Sequence, residues 1–179
     1  MRFDPDKHHR RSIRLKGYDY SSPGAYFVTI CTNNRECLFG RVEDGQVELT
    51  PIGKVADRFW HEITDHFEHV KNNEHVIMPN HLHGILMINE YCRGTACRAP
   101  TYEIFGKPRK GTIPTVIRSY KSAVTRWCRR NGYEYFQWQR NYYEHIIRTE
   151  DELKRIRNYI INNPLKWEED RNNPKNWGI

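Results

Sequence analysis

Two histidines stand one residue apart at the start of a segment whose composition is typical of a β-strand. They are His81 and His83, with Leu82 between them. Side chains alternate between the faces of a strand, so both imidazoles are expected on one face and Leu82 on the other. The backbone positions of two residues at i and i+2 in a strand lie roughly 7 Å apart, which allows both rings to bind one cation. The alternative is a solvent-facing histidine pair without a metal.

A tyrosine and an asparagine four residues apart form the second candidate pair. Tyr159 and Asn163 lie in a segment with helical periodicity, which places them on one helix face about 6 Å apart along the axis. A tyrosine hydroxyl, with a pKa of about 10, attacks an electrophile only if a metal or a base assists it. Asn163 could supply an amide oxygen to that metal. The alternative is a packing tyrosine and an asparagine that ends the helix before Pro164.

The elements that must position these residues follow from periodicity and turn signals. In chain order we predict a strand at 25–32, a hairpin at 37–50, a helix starting after Thr50, strands at 74–78 and 81–89, a helix from about 112 to 130, a strand near 136–147 and a helix starting after Thr149. Without the hairpin the order is βαββαβ plus a final helix. This predicts an α+β, ferredoxin-like fold with an antiparallel sheet, an inserted β-hairpin and an extra C-terminal helix that carries Tyr159.

The length of 179 residues suits one domain. We expect residues 1–20 to form a basic N-terminal arm and residues 168–179 to form a C-terminal tail that covers a surface or hangs loose. No run of 18 apolar residues exists, so no membrane span is expected, and the N-terminus lacks the apolar region of a secretory signal.

The five cysteines are an odd number without dense spacing, which favours a reducing cytoplasm. Cys92 and Cys97 could hold zinc, but no second cysteine pair stands at zinc-finger spacing, so free thiols are the preferred interpretation.

Positive charge is concentrated in one part of the chain. The net charge is +7, whereas residues 93–130 alone hold ten Lys or Arg and one acidic residue. A solvated helix face is one explanation, but the basic run includes a Gly/Pro-bearing loop, so a phosphate-contacting surface is preferred. The expected DNA-binding residues are Arg10, Arg11, Arg14, Lys16, Arg109, Lys110, Arg118, Lys121 and Arg126.

Three stretches resemble a known family: HVIMPNHLHGILMI, SYKSAVTRW and FQWQRNYYEHIIRTEDELKRIRNYIINNPLKW. They are similar to the REP-associated tyrosine transposases of the single-tyrosine HUH superfamily, and the resemblance extends from about residue 17 to 167. It implies a ferredoxin-like fold, His81 and His83 as a metal-binding pair, Asn163 as the third ligand and Tyr159 as the nucleophile. It implies Mg²⁺ or Mn²⁺ as the cofactor; ligand type alone favours Mn²⁺.

The resemblance also implies a reaction and a partner. The protein would cleave and rejoin single-stranded DNA beside hairpin palindromic repeats through a 5′-phosphotyrosine intermediate. We expect a monomer, although related transposases form dimers, and a cytoplasmic, nucleoid-associated protein of a bacterium. Two other classes stay open: a domesticated hairpin-DNA-binding protein without catalysis, and a zinc enzyme that hydrolyses a small molecule.

Several aromatic residues remain ambiguous at this stage. Tyr142 and Tyr143 are rival nucleophiles that we interpret as structural or DNA-stacking groups, and His145 matches a family histidine without an assigned role. The candidates for stacking on unpaired bases are Tyr120, Trp127, Trp138 and Tyr142. Tyr120 and Trp127 lie on the apolar helix stripe, so core packing is preferred for these two.

Overall fold

The computed structural model describes residues 18–89 and 111–177. Its strands and helices are β1 (Gly24–Cys31), β2 (Gly40–Glu43), β3 (Gln46–Leu49), α1 (Pro51–His61), α2 (Ile63–His66), β4 (Val70–Ile77), β5 (His81–Ile88), α3 (Ile113–Arg130), β6 (Tyr143–Ile147) and α4 (Glu150–Ile161). Short 3-10 helices span Asn33–Arg35, Pro164–Glu169 and Pro174–Asn176.

Four strands form one sheet in the order β4-β5-β1-β6, and every neighbouring pair is antiparallel. Strands β2 and β3 form a separate two-stranded hairpin. With the hairpin set aside, the remaining elements have the βαββαβ order followed by α4. The predicted α+β, ferredoxin-like fold with an inserted hairpin and a further C-terminal helix is confirmed.

Local signals in the sequence set the ends of these elements. The hairpin turns at Asp44 and Gly45, which both have positive φ angles of 50° and 73°, and an Asp-Gly pair tolerates this backbone well. The Thr50 side chain accepts a hydrogen bond from the Gly53 N–H and caps α1. The Thr149 side chain caps α4 in the same way, through the Glu152 N–H.

Three predicted boundaries were wrong. Strand β4 begins at Val70, not near residue 74, because Val70 already pairs with Ile88 of β5. The last strand begins at Tyr143, not near Phe136, because the preceding residues do not continue a ladder: the Gln139 N–H donates to Cys31 at the end of β1, and the Gln137 carbonyl accepts from Asn33 beyond it. The first apolar helical stripe is divided between two helices, because α1 ends at His61 and α2 starts at Ile63.

The sheet has two covered faces. Helices α1 and α3 pack on one face, where Leu82 and Leu86 of β5 join the larger core. Helix α4 packs on the other face, where Leu153 and Ile160 contact a smaller apolar cluster. The alternation of β5 therefore turns His81 and His83 toward the α4 face, as predicted.

The close approach of α1 to the sheet depends on one glycine. A Cβ atom on Gly84 of β5 would enter the ring of Trp60 from α1. Glycine at this position therefore lets the buried indole approach closely the strand that carries the two histidines on its other face.

Several sequence predictions fall outside the described residues. These are the zinc or thiol interpretation of Cys92 and Cys97 and the DNA-binding roles of Arg10, Arg11, Arg14, Lys16, Arg109 and Lys110. Among the helices of residues 18–89 and 111–177, none combines the length and apolar character that crossing a membrane requires.

Candidate metal and tyrosine site

The structure brings the four predicted site residues together on the α4 face of the sheet. The Nε2 atoms of His81 and His83 are 3.0 Å apart, and the Tyr159 hydroxyl lies 3.1 Å from His83 Nε2. Asn163 follows Tyr159 by one helical turn and is buried. The Phe27 ring of β1 stacks on His83 and meets the edge of Tyr159, with ring centroids 5.3 Å and 6.1 Å apart. Strand β5 and helix α4 thus present an imidazole pair and a phenol to one point.

Burial keeps the two imidazoles neutral. It lowers the pKa of His81 to about 3, with the positive charges of Arg35 and Arg171 acting in the same direction. Burial also lowers the pKa of His83 well below its ordinary value, and His81 contributes to this. Protons therefore do not compete with a cation for these rings at neutral pH.

Asn80 determines which nitrogen of His81 carries the proton. Its amide Nδ2 donates to two backbone carbonyls, those of Arg35 at 2.9 Å and Asn172 at 2.7 Å. Both amide hydrogens are then used, so the Asn80 Oδ1 must accept from His81 Nδ1, 2.8 Å away. The proton lies on Nδ1, and the lone pair of Nε2 faces the site.

Thr29 of β1 holds the second ring. Its hydroxyl lies 2.8 Å from His83 Nδ1. When this hydroxyl accepts a hydrogen bond from the Nδ1–H, the Nε2 lone pairs of His81 and His83 both face the site. A hydrogen-bonded partner behind each imidazole is the arrangement that orients metal-binding histidines.

The segment after α4 contributes a residue that the sequence analysis missed. Asp170 Oδ2 lies 3.9 Å from His81 Nε2 and 3.4 Å from Asn163 Nδ2, and its side chain is only 5% exposed. Asp170, His81 and His83 offer ligand atoms that all lie within 4.8 Å of one another. The tail therefore does more than cover a surface, because it brings a buried carboxylate to the imidazoles.

These donors fit a divalent cation. The Asn163 Oδ1 is buried and accepts no hydrogen bond from any residue in the described parts of the chain. An orphaned buried acceptor costs about 1–3 kcal/mol, and a cation would satisfy it. Two imidazole nitrogens, an amide oxygen and a carboxylate suit Mn²⁺, and the two oxygens make Mg²⁺ acceptable as well.

Tyr159 is accessible to a substrate, but its hydroxyl is hard to deprotonate. Its side chain is 45% exposed, so a substrate can reach the hydroxyl. Partial burial raises its pKa, and Asp170 adds to the rise, whereas a hydrogen bond from Asn163 and the charge of Arg171 lower it. The group remains a neutral phenol at neutral pH and needs assistance to act as a nucleophile.

The rival tyrosines and His145 have different surroundings. Tyr143 of β6 is 48% exposed and meets the edge of Phe27. His145 Nε2 lies 2.8 Å from Glu152 Oε1, and the other oxygen of the same carboxylate, Oε2, accepts a hydrogen bond from the Arg148 N–H. His145 therefore links β6 to the first turn of α4 and helps to hold the helix that carries Tyr159.

A basic groove runs along α3. It encloses about 810 Å³, and six cationic side chains line it together with Trp138 and Tyr142. The cations are Arg118, Lys121, Arg126, Arg129, Arg130 and Arg140. Three of the predicted DNA-binding residues, Arg118, Lys121 and Arg126, thus lie in one cavity.

The lining residues are not equivalent. Lys121 donates to the carbonyl of Gln139 at 2.6 Å, and burial lowers its pKa to about 8, so it braces the wall of the groove. Tyr120 is buried, and its hydroxyl donates to the Ala56 carbonyl, which excludes it from base stacking. Trp127 stacks on Tyr133 at 5.8 Å. Of the four aromatic candidates, Trp138 and Tyr142 line the groove.

A second, smaller cavity shares a lining residue with the groove. It encloses about 220 Å³ and is lined in part by Thr29, Arg35, Tyr143 and Arg171. Tyr142 lines both cavities. The second cavity thus adjoins the groove and includes Thr29, the residue that holds His83, together with two arginines.

The role of Asn80 leads to a first prediction. We expect Asn80→Ala to weaken Mn²⁺ binding by about 10- to 100-fold, because His81 loses the partner that fixes its tautomer. Calorimetric titration of the folded protein measures the affinity, and ¹⁵N shifts of the His81 ring report the tautomer directly. Asn73→Ala in β4, which removes the acceptor of a hydrogen bond from Arg157 of α4, is the control. An unchanged His81 ring spectrum would contradict the prediction.

The comparison with solved structures concerns the fold. The chain matches a REP-associated tyrosine transposase bound to a REP hairpin with a TM-score of 0.55, over 88% of this chain and 73% of that chain. The two sequences are 20% identical. The fold of this chain is therefore the fold of that transposase.

The comparison with known sequences identifies a relative. An uncharacterised protein of Haemophilus influenzae is 48% identical over 168 residues, which cover 92% of this chain and 93% of the other. The chain belongs to the same family as this protein. No family model matches the chain.

Proposed function

We propose that the protein is a metal-dependent endonuclease and strand transferase for single-stranded DNA, which cleaves and rejoins the strand beside hairpin palindromic repeats. The observation that carries this proposal is the contact between the Tyr159 hydroxyl and His83 Nε2, at 3.1 Å, beside a second buried imidazole. A phenol that only packs has no need of two neutral imidazoles, an orphaned amide oxygen and a buried carboxylate around its hydroxyl.

The reaction follows from the chemistry of a phenol nucleophile. The Tyr159 oxygen attacks the phosphorus of a phosphodiester and loses its proton, and a bond between phosphorus and oxygen forms. The bond to the 3′ oxygen breaks, and that oxygen leaves as a hydroxyl after gaining a proton. The product is a 5′-phosphotyrosine, which conserves the bond energy so that another 3′-hydroxyl can reseal the strand.

His81, His83 and Asn163 would hold a divalent cation, and Asp170 would complete the set. When bound, Mg²⁺ or Mn²⁺ supplies positive charge against the non-bridging phosphate oxygens and orients the phosphate for in-line attack. The neutral imidazoles and the Asn80 hydrogen bond keep the nitrogen lone pairs available for it.

The surface around the site supports a DNA partner. Phosphates of a hairpin stem would lie in the basic groove, and the single strand would continue through the smaller cavity to Tyr159. Trp138 and Tyr142 would stack on unpaired bases, worth about 1–3 kcal/mol for each base. The likeness in fold to a transposase bound to a REP hairpin agrees with this class of partner.

The arrangement also supports a monomer. Tyr159 contacts His83 of its own chain, so the site does not require a second copy to supply the nucleophile. We further propose that the protein acts in the bacterial cytoplasm at the nucleoid, where its DNA substrate is found.

A direct experiment tests the function. The protein is incubated with 5′- and 3′-labelled hairpin oligonucleotides and Mn²⁺, and the products are separated under denaturing conditions. We expect a protein band that carries the label on the 3′ side of the cleavage point, together with a free 3′-hydroxyl fragment. Tight binding without an adduct, over a range of hairpins and metals, would favour a non-catalytic hairpin-binding protein instead.

The basic groove leads to a second prediction. We expect Arg126→Glu to weaken hairpin binding by about tenfold or more and to reduce the salt dependence of binding, because fewer counterions are released from the DNA. Fluorescence anisotropy at several salt concentrations measures both effects. Lys54→Glu on α1 makes the same change in charge at an exposed position outside the groove, and it should change little. Equal losses in the two variants would mean that the groove does not bind the DNA.

A further inference from the structure

A second cluster of ligand side chains lies on the other face of the sheet. Asp57 and His61 are four residues apart on α1, and His75 lies on β4 beneath them. His75 Nε2 is 2.9 Å from an Asp57 oxygen, and the rings of His61 and His75 are 4.8 Å apart between centroids. The three residues offer ligand atoms that all lie within 4.8 Å of one another.

This cluster is separate from the tyrosine site. On β4, Val76 pairs with His83 and faces α4, whereas His75 pairs with Gly84 and faces α1. The His75 ring also stacks near Trp60, at 6.0 Å between centroids. The sheet itself therefore lies between the two sets of ligands.

The surroundings differ from those of an ordinary surface pair. The His75 side chain is only 14% exposed, whereas Asp57 is 39% exposed and His61 faces solvent. The i, i+4 spacing on a regular helix turns Asp57 and His61 to the same side, and the strand fixes His75 opposite them. The geometry is held by two elements before any ion arrives.

We propose that Asp57, His61 and His75 form a second metal site, selective for Zn²⁺ over Mg²⁺. Two imidazole nitrogens and one carboxylate oxygen are ligands that zinc accepts in tetrahedral geometry, and they leave one position for water. Mg²⁺ prefers oxygen donors and binds poorly to such a set. The ion would tie α1 to β4 and so brace the face of the sheet opposite Tyr159.

The test uses the full chain with His83→Ala, which removes one imidazole of the pair at the tyrosine site and leaves the Asp57, His61 and His75 cluster intact. We expect this protein to bind one Zn²⁺ in competition with a chromophoric chelator. Zinc should raise its Tm by about 5 °C or more when present well above the dissociation constant. Mg²⁺ should do neither.

Ligand variants in the same background decide the assignment. His61 is exposed, so His61→Ala should leave the fold intact. It should weaken zinc binding by more than about 100-fold, which exceeds the effect of losing a residue that only hydrogen-bonds to a ligand. Asp57→Asn should weaken it as well. His66→Ala removes a nearby exposed histidine outside the cluster and should change nothing. Zinc binding that survives both His61→Ala and Asp57→Asn, or that is absent from the His83→Ala protein, would overturn the proposal. Because no DNA is involved, this outcome is independent of the nuclease activity.

Discussion

Tyr159→Phe is expected to abolish the covalent protein–DNA adduct, with a loss of at least about a thousandfold in strand cleavage. The substitution removes only the oxygen that would attack phosphorus. The ring still packs against Phe27, so the fold and the hairpin affinity should be unchanged. A denaturing gel with labelled hairpin DNA measures the adduct, and anisotropy measures the affinity.

Tyr143→Phe is a closely matched control for this experiment. Tyr143 has nearly the same exposure as Tyr159, at 48% against 45%, and its ring meets the edge of the same Phe27. The Tyr159 hydroxyl, in contrast, lies 3.1 Å from His83 Nε2 of the imidazole pair. An adduct that persists in Tyr159→Phe and disappears in Tyr143→Phe would identify Tyr143 of β6 as the nucleophile instead.

His83→Ala should produce the second largest effect. The ring contacts the Tyr159 hydroxyl and converges with His81, so its removal takes away both a metal ligand and the neighbour of the nucleophile. We expect cleavage to fall by at least about a thousandfold, since charge stabilisation by a cation is worth several kcal/mol. Hairpin binding should change by less than about threefold, because the basic groove lies along α3 and remains complete.

Metal removal separates this prediction from a simple loss of folding. The wild-type protein should lose cleavage in a chelator and regain it with Mn²⁺ or Mg²⁺, whereas His83→Ala should not regain it at any Mn²⁺ concentration. Circular dichroism and hairpin binding verify that the variant is folded. Cleavage by the wild-type protein that continues at full rate in the chelator would exclude a metal role for the imidazole pair.

The pH dependence of cleavage follows from the same site. Burial lowers the pKa of His81 to about 3, so the ring stays neutral down to acidic pH. Protonation of His81 therefore does not limit the rate of cleavage near pH 6.5. The pKa of the Tyr159 phenol is raised, mainly by burial.

Much of the fold was accessible from the sequence because its signals are local. Turn chemistry at Asp44 and Gly45, the caps at Thr50 and Thr149, and the alternation around Leu82 each depend on a few neighbouring residues. The helical spacing of Tyr159 and Asn163 is equally local. The antiparallel order of the sheet then follows from the order of the elements.

The missing parts of the site depend on contacts between distant segments. Asp170 lies in a stretch of short 3-10 turns without apolar periodicity, so no pattern marked it as a ligand. Asn80 acquires its role only when the carbonyls of Arg35 and Asn172 reach its amide. The contact of Asp57 with His75 likewise needs α1 to be packed on β4.

The bridge made by Asn80 has a consequence for biosynthesis. One of its amide hydrogens binds the carbonyl of Asn172, a residue translated 92 positions later. Until that downstream stretch has been synthesised, the Asn80 amide lacks this acceptor and donates only to the Arg35 carbonyl, so the side chain that orients His81 is held less firmly. The orientation of the imidazole pair is therefore set fully only after the chain has been synthesised through residue 172.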